Sequence, residues 1–304
     1  MSISKQGFAD HDTLTLSFPR KRESRATPPS LALDPRFRGG DKRKCGTCEK
    51  ILLRALSALV VVGSISGAAA GDDPIPGNPL IEIPAGPFVF GNDTGNDNER
   101  PRRVIEGRAF AINRTEITNA QYQRFADATG HRSAFYGGHP LLGLDNRPVV
   151  GVSFADAAAF CAHFGLKLPT EQEYERAARG PDGARFPWGD APVDATRANH
   201  GSNACCESDD SDGYAMTAPA DSFPQGASKE GVLNLVGNVW EWTADSYAPY
   251  AGAPPPDIAG KYRVLRGGSW NSDPSHLTAT YRLAYDPDYR FAANGGFRCA
   301  RSPD

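Results

Sequence analysis

Apolar residues recur at helical spacing in three stretches of the chain, and each stretch is opened by a reciprocal capping pair. Thr118 with Gln121 predicts a helix running to about Thr129. Ser153 with Asp156 opens a second, whose Phe154, Ala158, Cys161 and Phe164 fall on one face. Thr170 with Glu173 opens a third, which Gly180 closes. Before these helices, residues 80–91 (LIEIPAGPFVFG) predict two short strands around a Pro-Ala-Gly-Pro turn, and residues 104–113 predict one more. Residues 71–79 form a Pro/Gly linker, and the polar, acidic stretch 91–103 forms a surface loop. Beyond Pro181 no long helical period recurs. Early helices followed by a long irregular half make the domain α+β.

That irregular half contains the chain's densest motifs. Three of the four tryptophans lie in NLVGNVWEW (234–242) and RVLRGGSW (263–270), and GGFRCAR (295–301) follows them. Glycine permits tight turns and close backbone approach, whereas buried tryptophan brings large apolar area and an N–H that needs a partner. Together they predict a core built from loops. With 32 Gly and 25 Pro in 304 residues, one large loop-rich domain, at 80–304, is expected behind an N-terminal extension.

Charge separates the two parts. The first 70 residues carry 12 basic and 6 acidic side chains, leaving 21 basic and 30 acidic from Gly71 onward, a net of −9. So acidic a body argues against nucleic acid or an anionic membrane as partner and suits cation binding. Residues 42–70 read as a secretory signal peptide: basic residues, the apolar run 55–65, then small residues ending in Ala68-Ala69-Ala70. The run is too short to span a bilayer. A secreted protein, periplasmic in a Gram-negative bacterium, monomeric and free of the membrane after cleavage, is the expectation. Residues 1–41 are Arg/Pro-rich without hydrophobic period, so disorder is expected. They resemble a translated interspersed repeat rather than native coding sequence.

EITNAQYQRF (116–125), PVVGVSFADAAAFC (148–161), LKLPTEQEYERAARG (166–180) and FPWGD (186–190), with the three tryptophan- and glycine-rich motifs, occur in an order that resembles the formylglycine-generating enzyme, or sulfatase-modifying factor, family. The resemblance covers residues 81–301 and implies that family's irregular, C-type-lectin-like fold. It also implies a disulfide between Cys161 and Cys299; the alternative is two buried free thiols. Cys45 and Cys48 form half a metal motif inside the leader and carry no function, while the adjacent Cys205 and Cys206 fit a strained link, a soft-metal site or two exposed thiols.

Two calcium sites are implied by the same resemblance. Asn199, His200, Asp212 and Tyr214 align with one, and Asn234, Gly237, Val239 and Glu241 with the other, His200, Tyr214, Gly237 and Val239 contributing carbonyls. Irregular loops offering carboxylates, amides and carbonyls suit calcium; the alternative is that Asn234 and Glu241 satisfy loop N–H groups without metal. The copper-binding cysteines that follow RGGS in the enzyme proper are replaced by Ser272 and Leu277. Neither residue can serve as a soft Cu(I) ligand, so copper-dependent formylglycine formation is not expected. Trp240, Ser269 and Asn294 match the family's pocket, and Ser272, Asp273 and His276 lie beside them in sequence; a binding pocket and a set of core and turn residues are both open.

The expected function is an accessory or maturation factor that binds a periplasmic polypeptide or small molecule, as secreted relatives lacking the copper cysteines do. A divergent oxidoreductase using iron around His276 and Asp273 is one alternative. A retroelement-diversified lectin-like binding protein, variable over residues 270–296, is another.

Overall fold

The computed structural model describes residues 73–201, 210–250, 260–290 and 292–302. The expectations for the leader, for residues 1–41 and for Cys205 and Cys206 fall outside them.

All three capping boxes form as reciprocal side-chain and backbone hydrogen bonds, and they open α1 (Asn119–Thr129), α2 (Phe154–His163) and α3 (Glu171–Arg179). Gly130 closes α1 in the left-handed region, where a residue without Cβ costs least. The buried face of α2 is Ala157, Phe160 and Cys161, with Phe154, Ala158 and Phe164 only partly covered. The apolar pattern misplaces this face because Asp156 is itself buried, gripped by Arg132 through Nε at 2.7 Å and Nη2 at 2.9 Å.

The strands differ more from expectation. β1 (Leu80–Ile83) and β2 (Gly86–Phe90) do not pair with each other. The single strand expected over 104–113 is two, β3 (Arg103–Gly107) and β4 (Phe110–Asn113). β2 and β3 form an antiparallel pair of their own, whereas β4 is the central strand between β1 and β9 (Ala300–Arg301). The burial patterns explain the break. β3 is only partly covered, with alternate residues exposed, while every residue of β4 is buried, as a central strand requires. The third sheet runs β7 (Arg282–Tyr285), β6 (Arg263–Arg266), β5 (Trp240–Ser246), β8 (Gly295–Gly296), with β8 parallel to β5. No further α-helix follows Pro181 among the described residues, where only 3-10 turns occur.

Two stretches read as surface are anchored. In the expected linker, Ile75 is fully buried among Ile117, Tyr122, Phe160 and Phe297, and Asn78 exchanges hydrogen bonds with the backbone of Thr115. In the acidic loop, Glu99 is buried and accepts from Asn96 and from Thr280 Oγ1 at 2.7 Å. Both corrections have one cause: a polar or Pro/Gly segment can be held by a single buried side chain that no periodicity reveals.

The main core gathers α1, α2, Trp240, Trp242, Leu265 and Phe297. Trp242 donates its indole N–H to the Val152 carbonyl at 3.1 Å and Trp270 to that of Ala293 at 3.2 Å, so both large side chains are buried without an orphaned donor. Cys161 and Cys299 are joined in a disulfide with Cα atoms 5.6 Å apart, tying α2 to the residue before β9. Among the described residues no helix is long and apolar enough to cross a membrane.

Candidate functional site

The turn after β6 brings the predicted pocket residues together. Ser269 and Ser272 hydroxyls lie 3.1 Å apart, and the Ser269 N–H donates to Ser272 Oγ at 3.0 Å. Asn294, just before β8, reaches in with its amide to Ser269 Oγ at 3.3 Å and Asn271 Oδ1 at 2.8 Å, and Ser269 Oγ donates to the same Asn271 oxygen. The Trp240 N–H is bound by the Asn294 carbonyl, and its ring sits in the main core, 5.7 Å from Tyr281. The exposed His276 ring also packs on Tyr281, at 4.7 Å. Asp273 caps the following 3-10 turn and is held below the usual carboxylate range by hydrogen bonds from Ser275. The polar groups of Ser269, Ser272, Asn271 and Asn294 therefore satisfy one another, while Trp240 is a core residue.

The two positions that the family resemblance sets against copper cysteines hold structural side chains. Ser272 is tied into the turn, and Leu277 is fully buried. A Cβ added to Gly268 (φ +76°) would stand 2.4 Å from Leu277 Cδ2, so glycine and leucine fit as a pair. A cavity of about 650 Å³ opens on the next stretch instead, lined by Ser275, Thr278 and Thr280 together with Asn92, Arg102 and Arg185. Among the described residues no three His, Cys, Asp or Glu side chains converge as a metal-binding group.

The residues assigned to cations cluster differently. Asp212 folds its own loop, accepting from the His200 N–H at 3.0 Å and the Tyr214 N–H at 2.9 Å. Asn199 is buried; its amide N–H groups reach the Met216 carbonyl at 2.9 Å and Asn238 Oδ1 at 3.1 Å, and its Oδ1 has no partner. In the second set, Asn234 donates to Glu116 Oε2 at 3.1 Å and the Ala220 carbonyl at 2.9 Å, and again its buried Oδ1 has no partner. Buried polar atoms are satisfied almost without exception. Asn199 Oδ1 and Asn234 Oδ1 are two of twelve orphaned buried side-chain atoms among the described residues, and amide oxygens are a donor type that calcium takes. Gly237, at φ +86°, lets the chain pass the first set: a Cβ there would be 2.5 Å from the Asn199 carbonyl. Glu241 is more heavily engaged. Its two oxygens receive Arg298 Nη2 and Nε, each at 2.7 Å, and Oε1 also receives the Tyr174 hydroxyl at 3.2 Å. A carboxylate has about four acceptor positions, which leaves room for one more contact.

Glu116, Asn238 and Arg298 complete this buried cluster; Asn238 and Arg298 lie within the dense motifs but were not assigned a role, and Glu116 carried no signal of its own. Burial pushes the Glu116 carboxyl up to about 8; Arg298 opposes the rise and Glu241 adds to it. Asn234 and Asn238 both adopt positive φ, at 53° and 62°, which asparagine tolerates better than most residues. Two asparagines four apart in a glycine-containing motif were the signal available for that geometry.

Comparison with known proteins places these features in a family. The model for the sulfatase-modifying factor enzyme 1-like domain matches residues 68–303. The formylglycine-generating enzyme of Streptomyces coelicolor is 34% identical over 291 residues, covering 74% of this chain and 89% of that protein. Hercynine oxygenase of Mycolicibacterium smegmatis is 32% identical over 264 residues; that match covers 70% of this chain but only 59% of the relative. A mouse protein named inactive C-alpha-formylglycine-generating enzyme 2 is equally similar, at 32% over 275 residues, covering 73% of this chain and 85% of that protein. Among solved structures, PvdO from Pseudomonas aeruginosa superposes with a TM-score of 0.59 at 24% identity, over 74% of this chain and 94% of that one. Similarity at one level thus spans enzymes and a protein named inactive.

Proposed function

The chain belongs to the family of sulfatase-modifying factor enzyme 1-like domains, and from that premise we propose that it is a secreted, calcium-stabilised accessory or maturation factor that binds a polypeptide or small molecule without copper-cysteine chemistry. The observation that carries this reading is the pair Ser272 and Leu277. A hydroxyl fixed in a turn and a fully buried isobutyl group occupy the positions aligned with the two thiolates, and neither offers the soft sulfur that Cu(I) needs.

Calcium is supported by the unpartnered Oδ1 atoms of Asn199 and Asn234. With the His200, Tyr214, Gly237 and Val239 carbonyls and the carboxylates of Asp212 and Glu241, they would hold two ions. When bound, calcium supplies fixed positive charge that stabilises oxygen-rich loops. The chain's own residues do the rest: Asp212 shapes one loop, and Arg298 holds Glu241 in the other.

Incubating the full chain with a peptide bearing a sulfatase-motif cysteine, copper and oxygen tests the catalytic half of the proposal. Unchanged cysteine by mass spectrometry is expected, and conversion to formylglycine would overturn the reading. Elemental analysis after purification in calcium-containing buffer should find calcium near two per chain.

A further inference from the structure

The two orphaned oxygens lie at opposite ends of one hydrogen-bonded chain. Asn199 Nδ2 donates to Asn238 Oδ1 at 3.1 Å, Asn238 Nδ2 donates to Glu116 Oε1 at 2.9 Å, and Glu116 Oε2 accepts from Asn234 Nδ2 at 3.1 Å. All four side chains are buried. Each amide is also read by the backbone of one short segment, at every second residue. The Met216 carbonyl accepts from Asn199, the Ala218 N–H donates to Asn238 Oδ1 at 2.8 Å, and the Ala220 carbonyl accepts from Asn234.

These contacts fix which end of each amide is oxygen. Rotating Asn199 by half a turn would set its Oδ1 against two acceptors, the Met216 carbonyl and Asn238 Oδ1. Rotating Asn234 would do the same against the Ala220 carbonyl and Glu116. Rotating Asn238 would put its NH2 against the Ala218 N–H and the Asn199 amide. A buried acceptor facing an acceptor loses its hydrogen bond and keeps its desolvation cost. The aim of both Oδ1 atoms, away from the chain, is therefore set by the two residues in the middle together with the Met216 and Ala220 carbonyls.

We propose that Asn238 and Glu116 are positioning residues shared by two cation sites, holding the Asn199 and Asn234 amide oxygens outward as ligands so that the sites are built, and weakened, together. The inference rests on the calcium reading above and deepens it. Partners that orient a ligand typically change metal affinity by about 10- to 100-fold when removed. What is specific here is that one side chain serves two ions.

Calcium titration of the full chain by calorimetry, with terbium luminescence sensitised by Trp240 reporting the site beside Val239, tests this. Asn238→Gly keeps the positive-φ backbone and removes the bridge together with its contact to the Ala218 N–H; affinity at both sites should fall by about tenfold or more. Asp212→Asn, at the carboxylate that holds the His200 and Tyr214 N–H groups, should weaken the first site alone. Glu116→Gln is the second variant in case Asn238→Gly does not fold. Its amide NH2 must face the donor of either Asn234 or Asn238, and both affinities should again fall. The calcium-dependent rise in Tm over EDTA should shrink in the bridge variants, a readout that a purely structural loss would lower equally with and without metal. Weakening of one site only, or of neither, overturns the shared role. A wild-type chain that binds no calcium overturns the calcium reading itself, a separate and recognisable result.

Discussion

Arg298 grips Glu241 through both carboxylate oxygens at 2.7 Å, with both side chains fully buried. The pair joins GGFRCAR to NLVGNVWEW, and Arg298 also donates to the carbonyls of Asn113, Arg114 and Leu233. Among the described residues its guanidinium has no other ion pair, so Glu241→Gln leaves it buried without a full counter-charge. Breaking one partner of a buried pair costs about 3–5 kcal/mol, and urea unfolding should show a loss of that size. A change under 1 kcal/mol would mean that Glu116 takes over as counter-ion.

The disulfide links residues 138 apart, and in the chain-entropy model a loop of this length stabilises by roughly 4–5 kcal/mol. Cys299→Ser should lower Tm by about 10 °C for a domain of this size. Both cysteines are fully buried, so dithiothreitol should leave the bond intact until denaturant is added, as thiol labelling under both conditions would show.

Leu277 tests how tightly the segment after β6 is packed. It is fully buried against Gly268, and Leu277→Ala should cost about 2–5 kcal/mol by transfer and cavity terms. A near-neutral result in thermal unfolding would show that the turn around it is loosely packed.

Acid stability has a defined source in Asp156. Burial raises its pKa, but hydrogen bonds from Arg132, Ser153 and His131 outweigh that and bring it down to about 2. A folded pKa below the unfolded value of 3.8 means that the stabilisation is present above pH 4 and lost as pH falls toward 2. The difference is worth roughly 2 kcal/mol. Asp156→Asn should remove that pH dependence, measured as unfolding free energy between pH 5 and 2.

Helices were legible because their determinants are local: Thr118 and Gln121 are three residues apart and form the box that their spacing predicts. Sheet partners were not, because β1 and β2 are neighbours in sequence yet join different sheets. The convergence of Ser269, Ser272 and Asn294 followed from motif resemblance, but whether their polar groups point at a ligand or at one another depends on rotamers. Glu116 was illegible for another reason. An acidic residue between Thr115 and Ile117 looks like an exposed position, and only the fold shows it buried with two asparagine amides on its oxygens. Orphaned atoms such as Asn199 Oδ1 are properties of a complete hydrogen-bond inventory and have no counterpart in a string of letters.

Strand β4 has β1 on one side and β9 on the other, and Asn113 at its end receives the Cys299 N–H from 186 positions later. A ribosome working at about 5–20 residues per second leaves that edge bare for roughly 10–40 seconds. An uncovered edge strand is a template for pairing with other chains. Cys161 waits for 138 residues, roughly 7–28 seconds at the same rate, and Cys205 and Cys206 emerge before Cys299 does. In an oxidising compartment entered in that order, Cys161 can bond Cys205 or Cys206 before Cys299 arrives, and thiol exchange is the route from such a bond to the native one.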